Sequence, residues 1–76
     1  MYLYMEDKYL KYALQLIELK KYKEALKQLQ EAYEANPTSS EIMMLMATCY
    51  FNLMEDEKGI KLTKSALAIN PRLMKY

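Results

Sequence analysis

Three kinds of group in this chain could do chemistry: one thiol, Cys49, one run of carboxylates, Glu55-Asp56-Glu57, and lysines at Lys20, Lys21, Lys23 and Lys27. A thiol beside a base makes a nucleophile, but the chain has no histidine, so the commonest general base and metal ligand is missing. Cys49 lies next to Tyr50 in an apolar stretch and reads as a small buried hydrophobe. Clustered carboxylates can hold a cation, yet calcium loops alternate their oxygen ligands around a central glycine, which this run lacks. Three carboxylates at a helix start complement the helix dipole instead. The single glycine leaves no phosphate-cradling loop. The lysines are interleaved with Glu24 and Glu31, as on a solvated face. With no catalytic, cofactor-binding or metal-binding set, the expectation is a protein that is not an enzyme and uses no cofactor.

Composition narrows the class further. Seventy-six residues make one domain, 1–76. A chain that is 53% hydrophobic with one glycine and two prolines favours helices joined by short turns. The net charge of +1, from 11 basic and 10 acidic residues, provides no basic face for nucleic acid. No window approaches the roughly 18 apolar residues of a membrane span. The apolar start Met1–Met5 lacks a basic flank and is too short for a secretory segment. One cysteine excludes an internal disulfide and fits a reducing compartment, so a soluble, cytoplasmic, all-α protein is expected.

The elements that position these residues follow from apolar spacing. Tyr9, Tyr12, Ala13, Leu16 and Leu19 keep the i, i+3, i+4 rhythm of a helix with one buried stripe, and it restarts as Tyr22, Ala25, Leu26, Leu29, Ala32 and Tyr33. Pro37 disfavours helical geometry at Asn36, which ends the second helix near Ala35. Thr38-Ser39-Ser40-Glu41 offers a capping box through the Thr38 hydroxyl and the Glu41 carboxylate. A third helix is expected from about Ser40 to Leu53 and a fourth from about Asp56 to Ile69, closed by Asn70-Pro71. Ala13, Ala25, Ala32, Ala47, Gly59 and Ala66 would let helix axes approach closely, with Tyr9, Tyr12, Leu16, Leu29 and Tyr50 filling the space between them.

The Asn-Pro pairs are separated by 71 − 37 = 34 residues, and the positions between them recur. The first copy reads Y-x-x-Y-A-x-x-L from Tyr9, then Tyr22, Ala25, Leu29, Ala32 and Pro37; the second reads M-x-x-M-A-x-x-Y from Met43 to Tyr50, then Gly59, Thr63, Ala66 and Pro71. This resembles the tetratricopeptide repeat, whose pattern is W-x2-L-G-x2-Y, then A-x3-F, A and P over about 34 residues. It departs at Thr63, where a large apolar residue is usual, and at Asp56, where the first copy has Tyr22. The resemblance implies two antiparallel helical hairpins, a solenoid fragment with repeats at about 6–39 and 40–73.

It also implies that the first helix of each repeat lines a concave surface holding an extended peptide or a helix. Removing the packing stripe leaves Asp7, Leu10, Lys11, Leu14, Ile17 and Glu18 on the first helix, and Glu41, Met44, Leu45, Thr48, Phe51 and Asn52 on the third. Leu10, Leu14 and Ile17 fall at i, i+4 and i+7, and Met44, Thr48 and Phe51 repeat those offsets, with Asn52 beside them. Two such ridges make an apolar patch that calls for a partner. The subclass that clamps chaperone tails needs lysine and asparagine here, but Leu10, Leu14 and Leu45 stand there, so no such clamp is expected. The expected partner is an apolar peptide, an amphipathic helix in the groove, or a second copy of the chain. Met43, Met44, Met46 and Met54 either add adaptable surface or fill core gaps, with Met46 read as core.

Two repeats are few, since about three are normally needed for stability. Pro71–Tyr76 resembles the opening of another helix, with no polar cap over the fourth. A fragment of a longer array, a minimal design and a self-associating chain all fit. The expectation is a homo-oligomer, a dimer, formed through the uncapped end, the groove or both. Neither hairpin turn contains glycine, so a turn could straighten and exchange a hairpin between protomers. The alternative function is a purely structural repeat that stacks on itself and has no separate ligand.

Overall fold

The computed structural model describes residues 3–74. Four helices follow one another: α1 (Leu3–Glu18), α2 (Tyr22–Ala35), α3 (Ser40–Asn52) and α4 (Asp56–Ile69), with a 3-10 turn at Pro71–Met74. Each helix packs on its neighbour in the chain, α1 on α2, α2 on α3 and α3 on α4. The architecture is all-α, two helical hairpins in sequence.

The small residues sit where close approach requires them. Ala13, Ala25, Ala32 and Ala66 have no exposed surface, Ala47 has almost none, and Gly59 is buried. Around them a core runs through α1, α2 and α3: Leu16, Leu26, Leu29, Ile42, Met46 and Cys49 are buried, and Leu62 of α4 packs against them. Full burial of a side chain such as Leu29 contributes about 1.5–3 kcal/mol. Helix α3 lies between α2 and α4, which is why it is apolar on several sides and buries Ile42, Met43, Met46, Ala47 and Cys49.

Helix ends follow local rules. Asn36 and Asn70, each before a proline, take extended φ values of −144° and −136°, which the proline ring enforces. Their amides still donate to Ala32 (3.0 Å) and Ala66 (2.8 Å) carbonyls. The Asn70 side chain then accepts from the Arg72 amide at 3.2 Å, an Asx turn that leads into Pro71–Met74. The hairpin turns are both Schellman closures. Lys21 donates to the Leu16 carbonyl and Lys20 to Ile17; one period later Glu55 donates to Tyr50 and Met54 to Phe51. The closure demands a left-handed residue, and here it falls on Lys20 (φ 63°) and Met54 (φ 66°) rather than on glycine.

Three expectations are corrected. The cap of α3 is Ser39, not Thr38: Ser39 is extended and its Oγ accepts from the Ile42 amide at 3.3 Å. Thr38 sits one residue too early and donates to Asn36 Oδ1 instead (3.3 Å). Leu19 is not on the α1 stripe, because the Schellman turn ends α1 at Glu18 and leaves Leu19 65% exposed. Tyr12 is no core filler either, being 50% exposed, whereas Met46, its counterpart in the repeat, is covered by the first hairpin. The side chains of Asp7 and Tyr9 lie outside those described.

Candidate interaction surface

The thiol and the carboxylates both have structural roles. Cys49 is fully buried, and burial pushes its thiol up to about 11, so it stays protonated at neutral pH and packs as a hydrophobe. Glu55, just before α4, accepts from Lys58 Nζ at 3.0 Å. That contact raises the Lys58 pKa, and the ammonium also lies 5.6 Å from the centre of the Tyr50 ring. Asp56 and Glu57 stay exposed in the first turn of α4, where their charge suits the helix dipole.

The residues expected to line an apolar surface lie on α1 and α3. Leu10 and Ile17 are half-buried and pack against the core, so only part of each faces solvent. Leu14, between them, is 46% exposed. In α3, Met44 is half-buried and Thr48 and Asn52 are exposed. The Thr48 hydroxyl donates to the Met44 carbonyl at 3.0 Å, and Asn52 Nδ2 donates to the Thr48 carbonyl at 2.9 Å, so these donors are turned back on their own helix. Phe51 is 39% exposed, and its ring covers Gly59: a Cβ at that position would come within 2.8 Å of Phe51 Cζ. The ring occupies the notch that the missing side chain leaves in α4. Leu14 and Phe51 are thus the most open apolar groups of the set.

Other openings lie outside that set. A cleft of about 290 Å³ is floored by Met46, Tyr50 and Leu62 and edged by Lys58, Lys61 and Ser65. A second, of about 470 Å³, lies between the Lys20–Glu24 turn and Leu53. Ile60 (47%), Ile69 (46%) and Met54 (86%) are exposed as well. Ile60 was not among the expected surface residues: aligned with Leu26 of the α2 stripe it reads as a packing position, and the structure leaves it open.

No helix of the described residues is long and apolar enough to cross a membrane. Among the described residues no group of three or more His, Cys, Asp and Glu side chains could hold a metal ion; what the paired helices offer is exposed apolar side chains. No curated protein and no solved structure matches the chain. The model of the tetratricopeptide repeat matches residues 16–73, a span that takes in the end of α1 and the whole of α2, α3 and α4. With its 34-residue period, buried small residues and Asn-Pro helix ends, the chain belongs to the tetratricopeptide repeat family.

Proposed function

We propose that this chain is a protein–protein interaction module that takes an apolar peptide or amphipathic helix along α1 and α3, and that it also associates with itself. Membership of the family supports protein partners in general. The observation that carries the finer reading is the pair Leu14 and Phe51, one apolar group on each of α1 and α3, both open to solvent. Leu10, Ile17 and Met44 border them, and Thr48 and Asn52 supply a neutral edge. A surface apolar at its centre, with Lys11, Glu18 and Glu41 also exposed on these helices, suits neither an acidic chaperone tail nor nucleic acid, and the role is non-catalytic. The functional unit is the pair of repeats, about 6–39 and 40–73, and the single unpaired cysteine fits a cytoplasmic site.

Replacing Leu14 and Phe51 together with glutamate tests the groove. A labelled synthetic helix with leucines at i, i+4 and i+7 serves as the probe, read by fluorescence anisotropy. Both residues are exposed, so helicity should be retained while the probe binds at least about tenfold more weakly. Unchanged capture would remove the groove from the reading. A second reading, a repeat that only stacks, is favoured by the exposure of Ile60, which lies on α4, outside that groove.

A further inference from the structure

Helices α2 and α4 present the same flank, and the two flanks fare differently. On α2 it carries Tyr22, Leu26, Leu29 and Tyr33; Leu26 and Leu29 are buried in the core, and the tyrosines pack against it. One period later α4 carries Asp56, Ile60, Thr63 and Leu67. Steps of four, three and four residues keep these on one stripe. Ile60 is 47% exposed, Leu67 is half-buried and Asp56 is exposed. The Thr63 hydroxyl donates to the Gly59 carbonyl at 2.9 Å, so its methyl is what remains to pack. Exposed Lys64 borders the stripe one turn beyond Ile60. The flank is therefore apolar in its middle, acidic towards the start of α4 and basic towards its end.

We infer that two copies of the chain pair through this flank, their α4 helices antiparallel about a two-fold axis at Ile60. The inference rests on the self-association proposed above and adds its face and symmetry. Asp56 and Lys64 stand four residues either side of Ile60, so the two-fold brings Asp56 against the partner's Lys64, twice over, with Ile60 against its own counterpart. Parallel pairing would set like charges together. Antiparallel pairing also opposes the acidic start of α4 to the basic stretch at Lys61 and Lys64.

Head-to-tail stacking is the competing geometry, and α1 does not supply the other half of it. The first hairpin is covered by Ile42, Leu45, Met46 and Cys49 of α3. Their counterparts on α1 are Lys8, Lys11, Tyr12 and Gln15, all exposed. Pressing these onto Ile60 would desolvate two ammonium groups with one stripe carboxylate, Asp56, to answer them. An isologous contact uses the same patch on both copies and closes, so assembly stops at two.

Sedimentation equilibrium of the whole chain, from micromolar to submillimolar concentration, tests this. The mass is expected to rise to that of two chains and stop there. Ile60→Glu should weaken the association at least about tenfold with unchanged helicity, because the site is exposed. Asp56→Lys and Lys64→Glu should each weaken it, and both in one chain should restore it. Leu14 and Phe51 are untouched in these variants, so probe capture in the groove is read separately. A monomer throughout would overturn self-association altogether. A dimer indifferent to Ile60 and to the charges would overturn the α4 pairing alone, and a mass that grows beyond two chains would overturn the closed symmetry.

Discussion

Leu29 and Thr63 occupy the same place in the two hairpins, as do Leu26 and Ile60. Leu29 is fully buried and Leu26 9% exposed, while Thr63 is half-buried and Ile60 47% exposed. The small residues show no such difference: Ala25 and Gly59, and Ala32 and Ala66, are buried alike. The hairpin is thus made within each repeat, by small residues that let two helices touch. The core is made between repeats, by large residues that one hairpin offers and the next covers. On the other side of each hairpin the order is reversed, with Ile42 and Cys49 of α3 buried and Lys8 and Gln15 of α1 exposed.

The comparison breaks most easily at its centre. Leu29→Ala should cost about 2–5 kcal/mol, a large part of the roughly 4–11 kcal/mol expected for a chain this size. Thr63→Ala, a smaller truncation at the equivalent half-buried position, should stay within about 0.5 kcal/mol. Urea unfolding followed by circular dichroism measures both, and equal costs would mean that the two sites are covered alike. The turns should behave as equals instead. Lys20→Gly and Met54→Gly each relieve a left-handed side chain and should each raise stability by about 0.5–1 kcal/mol, after the extra freedom of glycine in the unfolded chain is set against the relief. A gain at one turn and a loss at the other, seen as opposite shifts in the urea midpoint, would show that the closures differ in more than sequence.

The smallest effect sharpens the comparison at Gly59, where the first hairpin has Ala25. Helix propensity favours alanine by about 1 kcal/mol, but the new Cβ would sit 2.8 Å from the Phe51 ring, which must swing outward. Gly59→Ala alone should therefore change stability by less than about 0.5 kcal/mol. In a Phe51→Ala background it should gain about 0.5–1 kcal/mol, and the difference between the two is the coupling of ring and notch. The same gain in both backgrounds would mean that the ring does not rest on Gly59.

Much of this was legible in the sequence, for local reasons. The end of α2 at Ala35 and the span Asp56–Ile69 of α4 were expected from the Asn-Pro pairs and the apolar rhythm, and both are observed. The cap of α3 was expected at Thr38, and the structure places it one residue later, at Ser39, whose backbone is extended and whose Oγ accepts from the Ile42 amide. The Schellman turns were hidden because Lys20 and Met54 do not look like left-handed residues. Of the candidate groove, the spacing of Leu10, Leu14 and Ile17 placed them on one face, but not the packing that half-buries Leu10 and Ile17 and leaves Leu14 open. Phe51 on Gly59 is a contact between helices, and spacing along one helix carries no trace of it.

By itself the sequence determined four helices, the end of α2, the span of α4 and the repetition of the hairpin, because proline, small residues and the 3.6-residue period act over a few neighbouring positions. That Leu26 is buried while its apolar counterpart Ile60 is open was decided only by the tertiary structure. Burial depends on what the next hairpin lays against a stripe, and a repeated pattern reads the same whether that stripe is covered, as on α2, or open, as on α4.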